Sequence, residues 1–334
     1  MNPYVRGLAP SLIRSINARK RPGDIDLGIG QPTFPPDHAA FEAALEWTRV
    51  HGSPYSPNAG ISELREAVLA YQARDGEWDA LPPGERDACI TVGSEEALYL
   101  AIKTVLDPAT DEVLIVEPSY LAYAKLCAME GLRYRTVALN SESGFRPDAQ
   151  RVIEAIGPDT RMIVLNSPSN PTGRVWSAEE FSALAAHLRE QGGRIYVLTD
   201  EVYRELYYGD PAPSMARYHP DTLIANSLSK SCAVTGLRVG WLAGPRDVIA
   251  EAIKVHQLVN TSTSTFSQRV GLELLREPDR IAAHRPLYAA RRERLLTLAD
   301  QLGLSILPPE GTFFAFLRLP PPLAGDSIAT AERL

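Results

Sequence analysis

The strongest constraint on the fold is a repeated order of short apolar runs, each followed by polar or glycine-rich residues and then by a helical pattern. The clearest runs are 88–92, 112–116, 161–165, 195–199 and 222–225. Runs of this length are typical of buried strands, and their alternation with helices predicts an α/β domain with a mostly parallel central sheet flanked by helices. Such sheets bind ligands outside the carboxyl ends of their strands, so we expect the functional residues directly after these runs.

The segment after the last run places an amine among groups that bind phosphate. Lys230 follows Ser227 and Ser229, and Arg238 comes eight residues later. An amine beside a phosphate site can form a Schiff base with a phosphorylated aldehyde such as pyridoxal phosphate. A lysine near serines is also common on solvated loops, so this interpretation depends on the other strand ends.

Two of those strand ends suit the same cofactor. Gly93, Ser94 and Glu95 precede a helix predicted over 96–106, and the free N–H groups and positive dipole end of a helix start favour a phosphate. Asp200 follows another run, where a carboxylate can keep a pyridine nitrogen protonated and so make the ring an electron sink. As alternatives, small residues open many helices, and Asp200 can be an ordinary helix N-cap.

Three further residues suit the ring itself. Tyr203 and Asn170 can donate hydrogen bonds to a phenolate oxygen, and Tyr120 offers a flat face for stacking. Asn170 can equally be a turn residue, and Tyr120 can be plain core packing.

In this order and spacing, the residues resemble the class I/II aminotransferases of the fold-type I pyridoxal-phosphate enzymes. The resemblance covers roughly residues 27–316, and its matching segments are Tyr55-Ser56-Pro57-Asn58-Ala59-Gly60 with Leu64-Arg65, Asn166-x-Pro168-x-Asn170-Pro171-Thr172-Gly173, Asp200-x-x-Tyr203, and Ser227-x-Ser229-Lys230 with Arg238. It implies a pyridoxal 5'-phosphate-dependent transfer of an amino group between an amino acid and a 2-oxo acid by a ping-pong mechanism.

The resemblance also implies the catalytic and substrate-binding residues. Lys230 would hold the cofactor as a Schiff base and then move the substrate Cα proton, while Asp200 would pair with the pyridinium nitrogen. Gly30 and Asn170 would contact the substrate.

The remaining contacts to the cofactor are implied in the same way. Asn170 and Tyr203 would bind the ring oxygen, and Tyr120 would stack on the ring. The phosphate would be held by Gly93, Ser94, Glu95, Ser227, Ser229 and Arg238. Tyr55 would reach the phosphate of the partner subunit, which implies a homodimer with shared active sites.

The resemblance further sets expectations for domains and for the end of the sequence. We expect a large cofactor-binding domain over 50–245 and a smaller α+β domain from 1–49 and 246–334. In this sequence we expect a strand over 312–317 and a helix that starts in 327–334. Family members continue beyond the corresponding point with an arginine that binds the substrate α-carboxylate. Arg318 lies too early for that role, so the smaller domain is expected to be incomplete through truncation, or to have lost this arginine.

Two alternatives to an aminotransferase stay open at this point. A pyridoxal-phosphate-dependent lyase or cyclase on the same fold would use the same lysine and aspartate. A truncated protein that binds the cofactor without turnover would fit the expected loss of the carboxylate-binding arginine.

Composition limits the other classes of function. The net charge of −7 over 334 residues argues against a nucleic-acid groove, and no apolar run of about 18 residues predicts a membrane span. Cys89, Cys127 and Cys232 are too few and too scattered for a disulfide framework or a zinc site, and the histidines lack metal-ligand spacing. We therefore expect a cytoplasmic protein without a metal.

Overall fold

The computed structural model describes residues 2–9, 12–191, 193–323 and 325–333. Within these ranges the chain forms a seven-stranded sheet and a separate antiparallel pair of short strands. The sheet contains β1 (Arg86–Thr91), β2 (Glu112–Glu117), β3 (Arg133–Ala138), β4 (Thr160–Asn166), β5 (Tyr196–Asp200), β6 (Thr222–Ser227) and β7 (Gly240–Pro245), and the pair contains β8 (Ser305–Leu307) and β9 (Phe316–Arg318).

The large sheet is mostly parallel, as the sequence predicts. Its strand order is β1-β7-β6-β5-β4-β2-β3, and β2 to β6 run in parallel with β3 at one edge. Only β7 runs against its neighbours, β1 and β6. This arrangement with flanking helices is the α/β architecture that the alternation of runs predicts.

Helices cover both faces of the sheet. The helices of the described ranges are α1 (Pro3–Arg6), α2 (Leu12–Asn17), α3 (His38–His51), α4 (Ser62–Gln72), α5 (Gly93–Val105), α6 (Ala122–Met129), α7 (Ala149–Ala155), α8 (Ala178–Glu190), α9 (Arg246–Asn260), α10 (Thr265–Leu275), α11 (Pro278–Ala282), α12 (Arg285–Gln301) and α13 (Ser327–Arg333). In the described ranges, none of these helices combines the length and the apolar character needed to cross a bilayer.

Alternating side chains of the strands supply the two apolar layers. Trp241 of β7 and Val68 of α4 belong to one apolar cluster, whereas the next residue, Leu242, belongs to a second cluster with Ile102 of α5 and Ile249 of α9. Successive strand residues point to opposite faces, so each central strand needs apolar residues throughout its length. This explains why the buried strands read as continuous apolar runs.

Two strands and one boundary differ from the sequence-based expectations. β3 is an edge strand whose polar residues are largely exposed, so it has no apolar run, and β7 begins and nearly ends with glycine. The strand expected over 312–317 is wrong in its first part, because β9 begins only at Phe316. Thr312 adopts a φ of 64° and donates its backbone N–H to Leu206 O over 2.7 Å, which is incompatible with a regular strand there.

The close approach of α5 to β7 gives a stability prediction. A Cβ at Gly240 would lie 2.6 Å from the carbonyl carbon of Gly93, 2.7 Å from Ser94 N and 2.8 Å from Asn226 O, all of them backbone atoms. We expect Gly240→Ala to lower the free energy of unfolding by about 1–3 kcal/mol, because backbone must move to make room. Urea denaturation measures this change.

Gly84→Ala is the matched control, since a Cβ at Gly84 meets nothing within 4 Å. We expect its free energy of unfolding to stay within about 0.5 kcal/mol of the wild type. Equal stability of the two variants would contradict the tight approach at Gly240.

Candidate active site

Three polar residues end neighbouring strands at the same edge of the sheet. Asn166 ends β4, Asp200 ends β5 and Ser227 ends β6. Asn166 pairs with Asp200 in the register of β4 and β5, and its Nδ2 donates to the backbone oxygen of Asp200 over 2.8 Å. The parallel register therefore brings together residues that lie far apart in the sequence.

The carboxyl group of Asp200 is buried at this edge. Its Oδ2 accepts a hydrogen bond from Tyr123 Oη at 2.8 Å, and its Oδ1 accepts one from Val202 N at 3.2 Å. Burial raises the pKa of Asp200 to about 6, although both hydrogen bonds work to lower it. Since neither donor carries a charge, a cation placed against this carboxylate would be strongly favoured.

Lys230 lies in the loop after β6, half-buried near the same edge. Its Nζ donates to Gly30 O over 2.6 Å. Burial and the charge of Arg238 lower the pKa of Lys230, while the charge of Asp200 opposes them. A lowered pKa increases the fraction of neutral amine, which is the nucleophilic and basic form.

Asn170 and Tyr203 meet beside Asp200. The side chain of Asn170 hydrogen-bonds to the hydroxyl of Tyr203, and burial together with the charge of Asp200 raises the pKa of that hydroxyl. The backbone N of Asn170 donates to Asn166 Oδ1 over 2.6 Å, so the loop is fixed to the end of β4. This pair offers neutral hydrogen-bond donors next to the buried carboxyl group.

The start of α5 lies against Arg238. A Cβ at Gly93 would lie 2.8 Å from Arg238 Cζ, so only glycine permits this approach, and Gly93 has a φ of 74°. Arg238 itself adopts φ 53° and ψ 51°, and its guanidinium donates to Val92 O over 3.4 Å and to Thr235 O over 3.1 Å. Val92, the N-cap of α5, supplies no side-chain hydrogen bond to the first turn. A guanidinium beside free helix N–H groups is a site for an anion.

Hydroxyl groups border this anion site. Ser227 and Ser229 are buried, and Ser229 N donates to Ser227 Oγ over 3.4 Å. Ser94 lies half-buried in the first turn of α5.

Tyr120 bridges the anion site and the buried carboxyl group. Its hydroxyl donates to Glu95 Oε2 over 3.1 Å, and its ring meets the ring of Tyr123 edge to face at 5.8 Å. Because Tyr123 in turn donates to Asp200, one aromatic pair connects the start of α5 with the end of β5.

Tyr55 is the predicted site residue that lies apart from the rest of the candidate site in the single chain. Its side chain is 88% exposed, and the described residues show no hydrogen bond between it and the rest of the site. The neighbouring residues are anchored, since Pro54 O accepts from Thr265 Oγ1 and Ser56 Oγ accepts from Gln268 Nε2.

Sequence reasoning missed three aromatic residues at the site. Tyr123 follows Tyr120 by three positions, a spacing that places both on one side of a helical turn and was the available signal. Phe313 and Phe314 lie against Gly30, where a Cβ would be 2.8 Å from Phe314 Cζ and 3.2 Å from Phe313 Cε2. No sequence motif marks these two phenylalanines, because the contact joins opposite ends of the chain.

The arrangement combines an amine of lowered pKa, a buried carboxyl group whose two hydrogen-bond donors are neutral, and an anion site. Among the residues that the structure describes, no group of three histidine, cysteine or acidic side chains is placed to hold a metal ion.

Residues 22–333 match the sequence model of the family described as "Aminotransferase class I and II". This chain belongs to that family.

Similar proteins carry the same family assignment. The aspartate/prephenate aminotransferase of Thermus thermophilus is 34% identical over 341 residues, which cover 99% of this chain and 87% of the relative. A probable N-acetyl-LL-diaminopimelate aminotransferase of Bacillus subtilis is 35% identical over 95% of this chain and 80% of its own. A solved structure of the Thermus thermophilus aspartate aminotransferase with maleate has a TM-score of 0.92 at 34% identity, covering 100% of this chain and 88% of that one.

The family assignment decides between the activities considered above. The chain is a pyridoxal 5'-phosphate-dependent aminotransferase that acts on amino acids and 2-oxo acids. The solved structures also confirm the fold-type I architecture expected from the sequence.

The buried carboxyl group of this aminotransferase gives a pH prediction. The pKa of Asp200 is about 6 in the folded chain, above the value of about 3.9 for an unfolded aspartate, so the folded state keeps a proton that the unfolded state loses. Without cofactor, the free energy of unfolding should therefore fall as the pH rises from about 4 to about 6. Relative to wild type, Asp200→Asn should gain about 2 kcal/mol across this window.

Urea denaturation of both cofactor-free proteins at several pH values tests this expectation. Other titrating groups cancel in the difference between the two proteins, which isolates Asp200. A difference that stays constant with pH would contradict the raised pKa.

Proposed function

We propose that this edge of the sheet is the aminotransferase active site, with Lys230 and Asp200 as its catalytic residues. The observation that carries the proposal is the position of Lys230. Its amine lies within electrostatic reach of both Asp200 and Arg238, and burial lowers its pKa. Amine, carboxyl group and anion site are the three features that a phosphorylated pyridine aldehyde requires.

The proposed phosphate site lies at the start of α5. The N–H groups of its first turn and the guanidinium of Arg238 bind the phosphate, with the nearby hydroxyls completing the site. The set is Gly93, Ser94, Glu95, Ser227, Ser229 and Arg238. Two observations support it: a side chain at position 93 would fill the space beside the guanidinium, and the side chain of the N-cap residue Val92 makes no hydrogen bond to the first turn.

The residues between this phosphate site and the end of β5 would hold the ring. Asp200 would pair with the ring nitrogen, whose positive charge suits a buried carboxylate with neutral hydrogen-bond donors. Asn170 and Tyr203 would donate to the ring oxygen, and Tyr120 would stack on the ring. The hydrogen bond between Tyr120 and Glu95 holds the stacking residue beside the phosphate site.

When bound, pyridoxal 5'-phosphate supplies the aldehyde and the electron sink for the Cα–H bond. Lys230 would hold the cofactor through its Nζ. Its amine, when free, would act as the general base for the substrate Cα proton. The lowered pKa of Lys230 suits both roles, because each begins from the neutral amine.

Gly30 and Asn170 are the proposed substrate contacts. Gly30 lies at Lys230 through the hydrogen bond to its backbone oxygen, so a substrate that reacts there must pass this segment. Phe313 and Phe314 add an apolar wall on the other side of Gly30.

The proposal extends to assembly, domains and location. The exposed Tyr55 acts at the site of a second copy in a homodimer. The chain divides into a large domain over 50–245, which contains the whole seven-stranded sheet, and a smaller one from 1–49 and 246–334, which contains β8 and β9. The cysteines are buried free thiols, which suits the reducing cytoplasm.

Lys230→Ala tests the catalytic assignment. We expect the rate of amino-group transfer to fall by at least about 10²–10⁴-fold, since the general base is lost. Borohydride should no longer attach the cofactor covalently to the protein. Absorbance spectra with a panel of amino acids, followed by mass spectrometry of the reduced protein, measure both effects.

Lys254→Ala is the control, because this lysine is exposed and pairs only with Glu251 in the described part of α9. It should transfer amino groups at the wild-type rate. A covalent adduct at one defined lysine in the Lys230→Ala protein would overturn the assignment. Ammonia and a 2-oxo acid without a new amino acid would point to a lyase, and no spectral change with any amino acid to a protein without turnover.

Mixing two inactive variants tests the role of Tyr55. In a homodimer with shared sites, a hybrid of Lys230→Ala and Tyr55→Ala has one site with both wild-type residues. We therefore expect activity to reappear when the two variants are unfolded together and refolded. If Tyr55 acts within its own subunit or has no role, mixing restores nothing beyond the sum of the two separate activities.

A further inference from the structure

The carboxyl group of Glu96 is almost fully buried behind the start of α5, where it accepts hydrogen bonds from three donors. Val92 N donates to Oε2 over 2.5 Å, while His256 Nδ1 at 2.7 Å and Asn260 Nδ2 at 2.5 Å both bind Oε1. Only 9% of Glu96 is exposed, and His256 is completely buried. None of these contacts belongs to the catalytic steps described above.

Glu96 acts here as a charged acceptor. Burial works to raise its pKa, but the hydrogen bonds from His256 and Val92 hold the pKa below its usual value. An ionised carboxylate can only accept hydrogen bonds, so His256 Nδ1 carries the proton that it donates to Glu96. The contact is therefore a directed hydrogen bond from α9 to the first turn of α5.

The two backbone groups of Val92 are held from opposite sides. Its N–H donates to Glu96, and its carbonyl oxygen accepts from the guanidinium of Arg238. Val92 is the N-cap of α5, so its orientation sets the direction of the N–H groups that follow at Gly93 and Ser94. The proposed phosphate ligands on the helix and on the loop after β6 thus meet at one residue.

The neighbouring residues Glu95 and Glu96 make different contacts at the start of α5. In a capping box, the third residue of the helix reaches back to the N-cap N–H. Here the fourth residue, Glu96, does so from the buried side, and the third residue, Glu95, points outward to Tyr120. This leaves Glu95 beside the ring-stacking tyrosine while the helix start stays fixed.

We propose that Glu96, held by His256 and Asn260, is a positioning residue that preforms the phosphate site by fixing the backbone of Val92. The proposal rests on the proposed function, because it takes the phosphate to bind at the start of α5. A role in stability alone would make the same contacts, so the test must separate phosphate recognition from folding.

The test compares the affinities of the cofactor-free chain for pyridoxal 5'-phosphate and for pyridoxal, which lacks the phosphate. The dissociation constant for pyridoxal divided by that for pyridoxal 5'-phosphate reports the phosphate contribution alone, since both compounds react with the same lysine. In Glu96→Ala this ratio should fall by about tenfold or more, because the buried Val92 N–H loses its partner. The affinity for pyridoxal should stay within about threefold of the wild type. Absorbance titration measures both constants.

Two further variants test the same contacts. Glu96→Gln can keep an oxygen acceptor for Val92 N only by turning its NH2 group toward His256 and Asn260, so the ratio should fall by less than in Glu96→Ala. Asn260→Ala removes a donor to Glu96 at the exposed end of α9 and should lower the ratio by a smaller factor than Glu96→Ala. It also supplies the test if Glu96→Ala does not fold.

His219→Gln is a control for the loss of a buried side-chain hydrogen bond elsewhere in the chain. His219 bonds to Ile195 O over 2.9 Å, before the start of β5 and away from the phosphate site, so its loss should change stability without changing the ratio. Equal losses for both compounds, or no loss for either, in Glu96→Ala and Asn260→Ala would overturn the positioning role. A wild-type chain that binds both compounds equally would instead overturn the proposed phosphate site itself.

Discussion

The candidate site depends on one buried carboxyl group, that of Asp200. Asp200 lies at the end of a central strand, and the two hydrogen bonds that it accepts come from neutral donors. Burial therefore keeps its pKa near 6 in the chain alone. The rest of the candidate site is arranged around this carboxyl group: the register of β4 with β5 fixes its backbone, and the aromatic pair Tyr120 and Tyr123 fixes its side chain.

Two opposite charges flank the amine of Lys230 and give the site its direction. Arg238 and the start of α5 form the end that favours anions, and Asp200 forms the end that favours cations. Lys230 responds to both, since the guanidinium lowers its pKa and the carboxylate raises it. For a ligand with a phosphate at one end and a protonated ring nitrogen at the other, only one orientation places the phosphate beside Arg238 and the nitrogen beside Asp200.

The sequence predicts the central strands and the main site residues because each depends on local information. A buried strand needs apolar residues on both faces, and residues at the carboxyl ends of parallel strands must meet, so Asn170, Asp200, Tyr203 and Lys230 could be named in advance. The structure brings these four to one edge.

Other features depend on contacts between distant segments and leave little local trace. The edge strand β3 is exposed and polar, and the strand expected at 312 begins later because Thr312 is bound to Leu206. Tyr123, Phe313 and the Glu96–His256 contact are determined by packing between helices and loops. Tyr55 shows a further limit, because its proposed partner lies on another copy of the chain.

The antiparallel course of β7 has a consequence for the geometry of the ligand. Ser227 at the end of β6 pairs with Gly240 at the start of β7, so the segment that carries Lys230 and Arg238 is a loop closed at its base. The number of residues in this closed loop limits the spacing between the amine of Lys230 and the guanidinium of Arg238. In the proposed active site, an inserted residue would therefore change the separation between aldehyde and phosphate that the loop accommodates.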